Sequence, residues 1–190
     1  MGKINKLLLT AIFAILCSAC ENEYTPKPKG YLRIDLPEKS FSTYKSECPF
    51  TFDYNKNAKI VKASNENPCW LNIDYPSLKC RIHLSYKKVD DNLPQLLEDS
   101  RTLVYKHTIK ASAINQKNII NMDRMVYAKI YEIEGDAASS VQFYATDSFN
   151  HFLRGALYFN AASNADSLKP AIDFVRQDIE HLVNSIQWVE

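Results

Sequence analysis

The fold is decided by the stretch His151-Phe152-Leu153-Arg154-Gly155-Ala156-Leu157-Tyr158-Phe159-Asn160. In an extended chain, successive side chains point to opposite faces. Apolar residues occupy both faces of this stretch: one face has Phe152, Ala156 and Tyr158, and the other has Leu153, Leu157 and Phe159. A strand with two apolar faces must be covered on both sides. The stretch therefore predicts the central strand of a sheet.

Further strands are predicted on either side of it in the sequence. Met125 to Glu134 and Ser140 to Thr146 are strong candidates, and Asp147-Ser148-Phe149-Asn150 predicts a hairpin turn into the central strand. Earlier in the chain, Trp70–Tyr75 and Cys80–Tyr86 flank a short turn and predict an antiparallel pair with one polar face. Weaker strand patterns occur at Tyr31–Pro37, Phe50–Tyr54 and Ala58–Ala63.

Two segments change to helical spacing. The first is predicted over Leu93–Lys110, where Asn92 is a candidate N-cap, Pro94 lies in the first turn and Gln95 is three residues after the cap. The second is predicted to begin at a cap formed by Asp166 or Ser167. Its apolar stripe at 3.6-residue spacing comprises Leu168, Ile172, Val175, Ile179, Leu182, Val183 and Ile186.

Two details of the second helix accompany this prediction. Pro170 is compatible with a helix if it lies in the first turn, where its missing N–H is not needed. Asp166-Ser167-Leu168 also resembles an acceptor tripeptide for protein O-glycosylation, although a helix cap explains it equally well.

Antiparallel strands interrupted by two well-formed helices indicate an α+β fold. We expect a single domain with a mainly antiparallel sheet and two major helices packed against it, rather than a β-sandwich. No second apolar run approaches the length of a membrane-spanning helix, and no internal repeat is visible.

The N-terminus has the features of an export signal. Lys3 and Lys6 precede the apolar run Leu7–Leu16, and small residues lead to Cys20. This ending resembles a lipobox, so residues 1–19 are predicted to be a lipoprotein signal peptide and Cys20 to carry the lipid. Cys17 stands where such motifs usually have leucine. The alternative is an ordinary secretory signal that leaves Cys20 as a free thiol.

The mature chain then divides into two parts. Residues 20–29 contain two prolines and no periodic apolar residues, which predicts an extended, acylated tether. Residues 30–190 are predicted to form the globular domain, which is long enough for one full-sized core.

Three cysteines remain after Cys17 and Cys20 are assigned to the signal and the lipid. Cys80 alternates in step with Ile82 and Leu84, so it is predicted to be a small core residue. Cys48 and Cys69 adjoin prolines at the ends of segments, where loops can bring them together. We favour a Cys48–Cys69 disulfide in an exported protein, and the alternative is two reduced buried thiols.

The composition argues against several classes of function. The formal net charge is +1, and the lysines form no basic run, so no nucleic-acid partner is expected. The four histidines lack metal-ligand spacing, and the four glycines form no phosphate-binding loop, so no metal and no cofactor are predicted.

Two weaker hypotheses remain. Asp147, Ser148 and His151 could belong to a hydrolase, although a polar turn explains them better. An aromatic groove for a small ligand is a further possibility, although tyrosine on a half-covered strand is usually structural. Its candidate residues are Tyr31, Tyr54, Tyr75, Tyr86, Tyr127, Tyr131 and Tyr144.

Several segments together resemble the gliding-motility lipoprotein GldD family of Bacteroidetes. They are Pro26–Tyr31 with Arg33–Pro37, Pro68–Ile73, Ile82–Tyr86, Leu97–Arg101, Tyr105–Thr108, Gln142–Tyr144 and His151–Asn160. The resemblance implies a cell-envelope lipoprotein required for gliding and for the type IX secretion machinery, with no catalytic residues to carry over.

The sequence therefore leaves two main hypotheses for the function. The first is a non-enzymatic assembly or stability factor, held at the outer membrane by the lipid on Cys20 with its domain in the periplasm. Its partners would be other gliding-motility and type IX secretion proteins, contacted through an exposed sheet edge or helix face. The second is an envelope module that binds a small ligand in an aromatic pocket.

Overall fold

The computed structural model describes residues 35–160 and 165–189. Within these ranges the chain forms ten strands and two α-helices. The strands are β1 Phe41–Tyr44, β2 Phe50–Asn55, β3 Lys59–Lys62, β4 Leu71–Tyr75, β5 Cys80–Lys88, β6 Ala111–Asn121, β7 Val126–Gly135, β8 Ser139–Thr146, β9 His151–Phe159 and β10 Gln187–Trp188. The helices are α1 Leu93–Tyr105 and α2 Ala165–Ser185, and a 3-10 turn at Pro76–Leu78 joins β4 to β5.

Seven of the strands form one antiparallel sheet in the order β3-β4-β5-β9-β8-β7-β6. The stretch His151–Phe159 is β9, and it lies at the middle of this order between β5 and β8. The predicted central strand is confirmed, and so are the antiparallel pair β4–β5 and the hairpin from β8 to β9.

One face of the large sheet, here called the inner face, carries the main core. Leu153 and Leu157 of β9 are fully buried in the same cluster as Val175, Ile179 and Val183 of α2. A second, three-stranded sheet in the order β1-β2-β10 contributes further buried side chains, Phe50 and Phe52 among them. This small sheet was not predicted, because β10 has two residues and β1 has four.

The opposite, outer face is partly covered by α1. Leu96 of α1 packs with Phe152 of β9, and Val104 packs with Tyr131 and Ile133 of β7. The central strand is therefore covered on both faces, as its two apolar sides predict. Two helices packed on opposite sides of a mainly antiparallel sheet confirm the α+β fold.

Gly155 is required by close packing within the central strands. It lies opposite Phe143 of β8, and a Cβ atom at this position would come within 2.1 Å of the Phe143 ring. The absence of a side chain at Gly155 thus makes room for a fully buried aromatic ring at the centre of the inner face.

A buried polar cluster joins α2 to the strands on its inner side. Asp178 is 3% exposed. Its carboxylate accepts hydrogen bonds from Lys39 Nζ at 2.8 Å, Asn55 Nδ2 at 2.9 Å and the Tyr75 hydroxyl at 3.1 Å. Lys39 also donates to the carbonyl oxygen of Phe174 at 2.7 Å and lies over the ring of that residue.

The helix boundaries differ from those predicted. Helix α1 ends at Tyr105 rather than Lys110, and residues 106–110 form turns with shorter-range hydrogen bonds, such as His107 N–H to the Val104 carbonyl. Asn92 precedes α1, but its side chain accepts from the Asp90 N–H and makes no cap bond to the helix. The predicted capping box is therefore wrong.

Helix α2 begins at Ala165, earlier than predicted. Asp166 and Ser167 therefore lie inside its first turn and not at the predicted cap position, and Pro170 lies inside the helix, beyond the first turn. The placement of Pro170 in the first turn was wrong because the predicted caps set the start of the helix two or three residues too late.

Three strands, β1, β6 and β10, were missed, and one predicted strand lies only partly within the described residues. Strand β6 was not predicted because its sequence is mostly polar, as suits an edge strand, and β1 is short. Of the predicted strand Tyr31–Pro37, residues 31–34 lie outside the described residues. Asp35–Pro37 has no regular secondary structure.

The packing of α2 predicts the effect of a charge in its stripe. Ile179→Asp places a carboxylate where the side chain is fully buried, and we expect a loss of about 3 kcal/mol or more in the free energy of unfolding. Gln177→Asp, at an exposed position of the same helix, is the control. Urea denaturation measures both. Equal stability of the two variants would contradict the packing described here.

Candidate functional site

One end of the domain exposes a cluster of large apolar side chains, here called the end surface: Met122, Met125, Phe149, Trp188 and Val189. Trp188 is partly buried, and each of the other four exposes between 44 and 69% of its surface. Three elements contribute these residues: the β6–β7 turn, the β8–β9 turn and the C-terminal β10. Single exposed apolar residues are common on proteins, but a contiguous group marks an interaction surface.

An open cleft of about 570 Å³ lies between the two turns. Apolar residues of the end surface line it together with Asp123, Arg124, Asp147 and His151. The cleft therefore combines apolar walls with a few charged groups of both signs. Such a lining suits an apolar side chain framed by hydrogen bonds.

A stack of rings supports one side of the cleft. The imidazole of His151 stacks on the Trp188 ring at 5.1 Å between centroids, and its Nδ1 shares a 2.9 Å hydrogen bond with the Tyr86 hydroxyl. The Trp188 indole N–H donates to the Met125 carbonyl at 3.1 Å. These bonds fix Trp188 between the two turns. Burial is the main reason that the pKa of His151 is lowered, so the neutral imidazole is favoured.

Asp147 organises the β8–β9 turn. Its Oδ1 accepts the backbone N–H groups of Phe149, Asn150 and His151 at 2.8 to 2.9 Å. Burial acts to raise the pKa of this carboxyl, but the three backbone donors outweigh it and the pKa is lowered. Ser148 has a φ of +74°, and the turn presents Phe149 to solvent.

These bonds do not assemble the hydrolase arrangement considered from the sequence. Asp147 bonds the backbone of His151 rather than its ring, and Nδ1 of that ring faces Tyr86. A triad needs the carboxylate on the imidazole and the imidazole on the serine hydroxyl. The polar-turn interpretation of Asp147, Ser148 and His151 agrees with the geometry.

The disulfide between Cys48 and Cys69 lies near the same end of the domain. It joins the segment before β2 to the segment before β4, with Cα atoms 5.5 Å apart. The bond thus links the small sheet to the large one, and closing this loop contributes about 3 kcal/mol by the chain-entropy estimate. Cys80 is a buried free thiol in the core, and burial raises its pKa to about 12.

Other predicted site residues are distributed differently. Cys20, the predicted lipid attachment site, and Tyr31 lie outside the described residues. The six described tyrosines occupy both faces of the domain and do not line the end cleft: Tyr54, Tyr75, Tyr86, Tyr127, Tyr131 and Tyr144. Within residues 35–160 and 165–189, no group of His, Cys, Asp or Glu side chains could hold a metal ion.

The end surface itself was not predicted from the sequence. Its residues come from turns and a terminal strand that lie far apart along the chain, and only the fold brings them together. A local signal was present, because Met122, Met125 and Phe149 are apolar residues in turn sequences that are otherwise polar. Turn sequences usually favour small and polar residues, so apolar residues at turn tips point to binding.

The fold and the end surface define an α+β domain with an exposed apolar surface at one end, and no described helix has the length and apolarity needed to cross a membrane. The family model for the gliding motility lipoprotein GldD matches residues 21–188. The chain belongs to this family, which confirms the resemblance found in the sequence. It is therefore a lipoprotein associated with gliding motility and located in the cell envelope. A search of curated proteins gave no match.

The histidine environment predicts a pH dependence of stability. Burial is the first cause of the lowered pKa of His83, His107 and His151, so the unfolded chain takes up protons before the folded one as the pH falls. The free energy of unfolding should therefore decrease as the pH is lowered from 7.5 to 5. This range includes the ordinary histidine pKa of about 6.5, which applies to the unfolded chain.

His151→Gln removes one of these groups and should make the decrease smaller. Urea denaturation at several pH values measures both proteins. An identical pH dependence in the two would show that the ring stack at the end surface does not disfavour the protonated imidazole.

Proposed function

We propose that this protein is a lipid-anchored, non-enzymatic assembly or stability factor for the gliding and type IX secretion machinery. It would bind a partner protein through the end surface. The observation that carries this proposal is the exposure of Met125, Phe149 and Val189 around a cleft at one end of the domain, with Met122 exposed in the same turn as Met125. The family membership gives the cellular context.

The division of the chain completes this proposal. Residues 1–19 would direct export and be removed, and Cys20 would carry the lipid. Residues 20–29 would be the tether and residues 30–190 the domain, which we place in the periplasm at the outer membrane. Each buried methylene of an acyl chain contributes about 0.8 kcal/mol, so two or more chains hold a protein stably at a bilayer.

The chain enters the domain at the end of the small sheet that lies away from the end surface. Phe41 of β1 pairs with Asn55, whereas Trp188 pairs with Phe50 at the other end of β2. The chain thus enters the small sheet roughly 16 Å from the end surface, at about 3.3 Å per residue.

The charged residues that line the end cleft disfavour the bilayer as the occupant of the end surface. Asp123 and Arg124 both line the end cleft, together with the carboxylate of Asp147. Attachment to anionic lipid requires a cluster of basic residues, and this lining does not supply one. The apolar side chains of a protein partner match the surface better.

The lipid anchor is tested with Cys20→Ala. We expect loss of incorporated fatty acid and release of the protein into the soluble fraction, because the end surface has no affinity for lipid. Cys17→Ala, which keeps the acylated cysteine, is the control and should fractionate like the parent. Sedimentation of the Cys20→Ala protein with membranes, reversed by Phe149→Ser, would instead show that the end surface enters the bilayer.

The docking surface is tested with Met122→Ser combined with Phe149→Ser. Both side chains are exposed, so stability should change by less than about 0.5 kcal/mol. We expect normal abundance, at least a tenfold loss of co-purified gliding and secretion proteins under mild detergent, and loss of gliding.

Ile109→Ser is the matched control, because this side chain is 91% exposed but belongs to the turn after α1. It should retain partners and gliding. Retention of partners by the double variant would contradict docking at the end surface. Recovery of the parent protein as a monomer with a bound small molecule would favour the ligand-binding alternative.

A further inference from the structure

A second cleft lies on the outer face of the large sheet, between α1 and the strands beneath it, and is here called the α1 cleft. Its volume is about 110 Å³. This is well below the 300 to 1,000 Å³ of pockets for drug-sized ligands. The cleft therefore has room for a small chemical group rather than a large molecule. Its walls are formed by Trp70, Ser85, Lys87, Leu96, Asp99, Ser100, Leu103, Phe152 and Arg154.

Arg154 is the main charged group in this cleft. Arg154 is partly buried, and this burial lowers the pKa of its guanidinium. Nη2 donates to Gln142 Oε1 at 2.6 Å, but no acidic residue within the described ranges forms an ion pair with it. By contrast, the guanidiniums of Arg81 and Arg176 each bond a carboxylate of this chain. A desolvated cation without a counter-ion favours the binding of an anion.

A buried hydroxyl is a second, independent indication of an anion-binding site in this cleft. Ser100 lies on the buried side of α1 with 3% of its surface exposed, and its Oγ has no hydrogen-bond partner among residues 35–160 and 165–189. An unpaired buried polar group costs about 1 to 3 kcal/mol. Ser100 and Arg154 line the same cleft, one from the helix and one from the sheet. A bound acceptor would satisfy the hydroxyl as well as the guanidinium.

The remaining charges in the lining limit which anion fits. Lys87 adds a second positive charge, and Asp99 adds one negative charge while accepting from Gln95 Nε2 at 2.7 Å. The lining thus has an excess of one positive charge, which matches a monoanion better than a doubly charged phosphate. A planar carboxylate also fits the fork of an arginine side chain.

We propose that the α1 cleft binds a carboxylate group, held by Arg154 and the Ser100 hydroxyl against the Trp70 ring. The carboxylate can come from a small free acid or from the chain end of a partner protein. This site lies on the outer face of the sheet and not at the end surface, so it is independent of the docking proposed above.

The test uses the full-length protein in detergent and NMR titration with sodium acetate, at an ionic strength kept constant with sodium chloride. The chain has two tryptophans, so Trp70 in the cleft reports binding and Trp188 at the end surface is an internal reference. We expect a saturable shift of the Trp70 indole N–H signal and little change at Trp188. Trp188→Phe assigns the two signals.

Variants then locate the site. Arg154→Gln should weaken acetate binding at least tenfold, and Ser100→Ala should weaken it less because the cation remains. Arg101→Gln is the matched control, since this arginine is on α1, exposed and already paired with Glu98. It should bind acetate like the parent.

Two probes separate the sources of the carboxylate. Acetyl-tetra-alanine with a free carboxylate is compared with its amide and with acetate. A peptide acid that binds at least tenfold more tightly than acetate indicates a partner's chain end, whereas equal affinity indicates a small free acid. The proposal is overturned if acetate and the peptide acid give no saturable shift, if inorganic phosphate alone saturates the site, or if Arg154→Gln binds acetate like the parent.

Discussion

The carboxylate of Asp178 is the interaction on which the inner half of the domain depends. It is buried within α2 and receives hydrogen bonds from Lys39 before β1, Asn55 at the end of β2 and Tyr75 at the end of β4. A buried charge is tolerated only when it is paired and fully hydrogen-bonded. One side chain therefore fixes α2 relative to the small sheet, the large sheet and the point where the chain enters the domain.

The buried charge of Asp178 also affects the pKa values of neighbouring side chains. Burial, followed by the nearby charge of Asp178, raises the pKa of the Tyr75 phenol far above its ordinary value and also raises that of the Cys80 thiol. Tyr75 is thus a neutral hydrogen-bond donor to the carboxylate at neutral pH. Removal of Asp178 would leave two buried donors, Asn55 Nδ2 and the Tyr75 hydroxyl, unpaired, which costs more than the loss of one ordinary hydrogen bond.

The sequence was sufficient for the features that rest on apolar periodicity. The two apolar faces of β9 and the stripe of α2 both identify core residues, and the structure buries most of them. Tyr158, Phe159, Leu168 and Ile172 are partly buried. Polar residues with tertiary roles gave no such signal. Asp178 occupies a polar position beside Ile179, and β6 is a long edge strand whose side chains are mostly exposed. Apolar periodicity predicts which face of an element is buried, but it does not predict which polar side chain will form hydrogen bonds with residues distant in the sequence.

The two candidate sites were less predictable from the sequence than the fold. The end surface combines Met125, Phe149 and Trp188 from distant parts of the chain, and the α1 cleft combines Ser100 with Arg154 across two layers. In each case the residue types are ordinary and only their juxtaposition is informative. The hydrogen bonds of Asp147 and the stacking of His151 on Trp188 give the end surface a fixed shape. A preformed apolar surface reduces the entropy lost on binding.

Site-specific crosslinking in gliding cells tests the central claim most directly. A photoreactive amino acid at position 149 samples the end surface, and the same group at position 109 samples an exposed site beside the Lys110–Gly135 contact, at the other end of β7. The account predicts an adduct between position 149 and a gliding-motility or type IX secretion protein, and no such adduct at position 109. Adducts of equal yield at both positions, or none with these proteins at position 149, would contradict it.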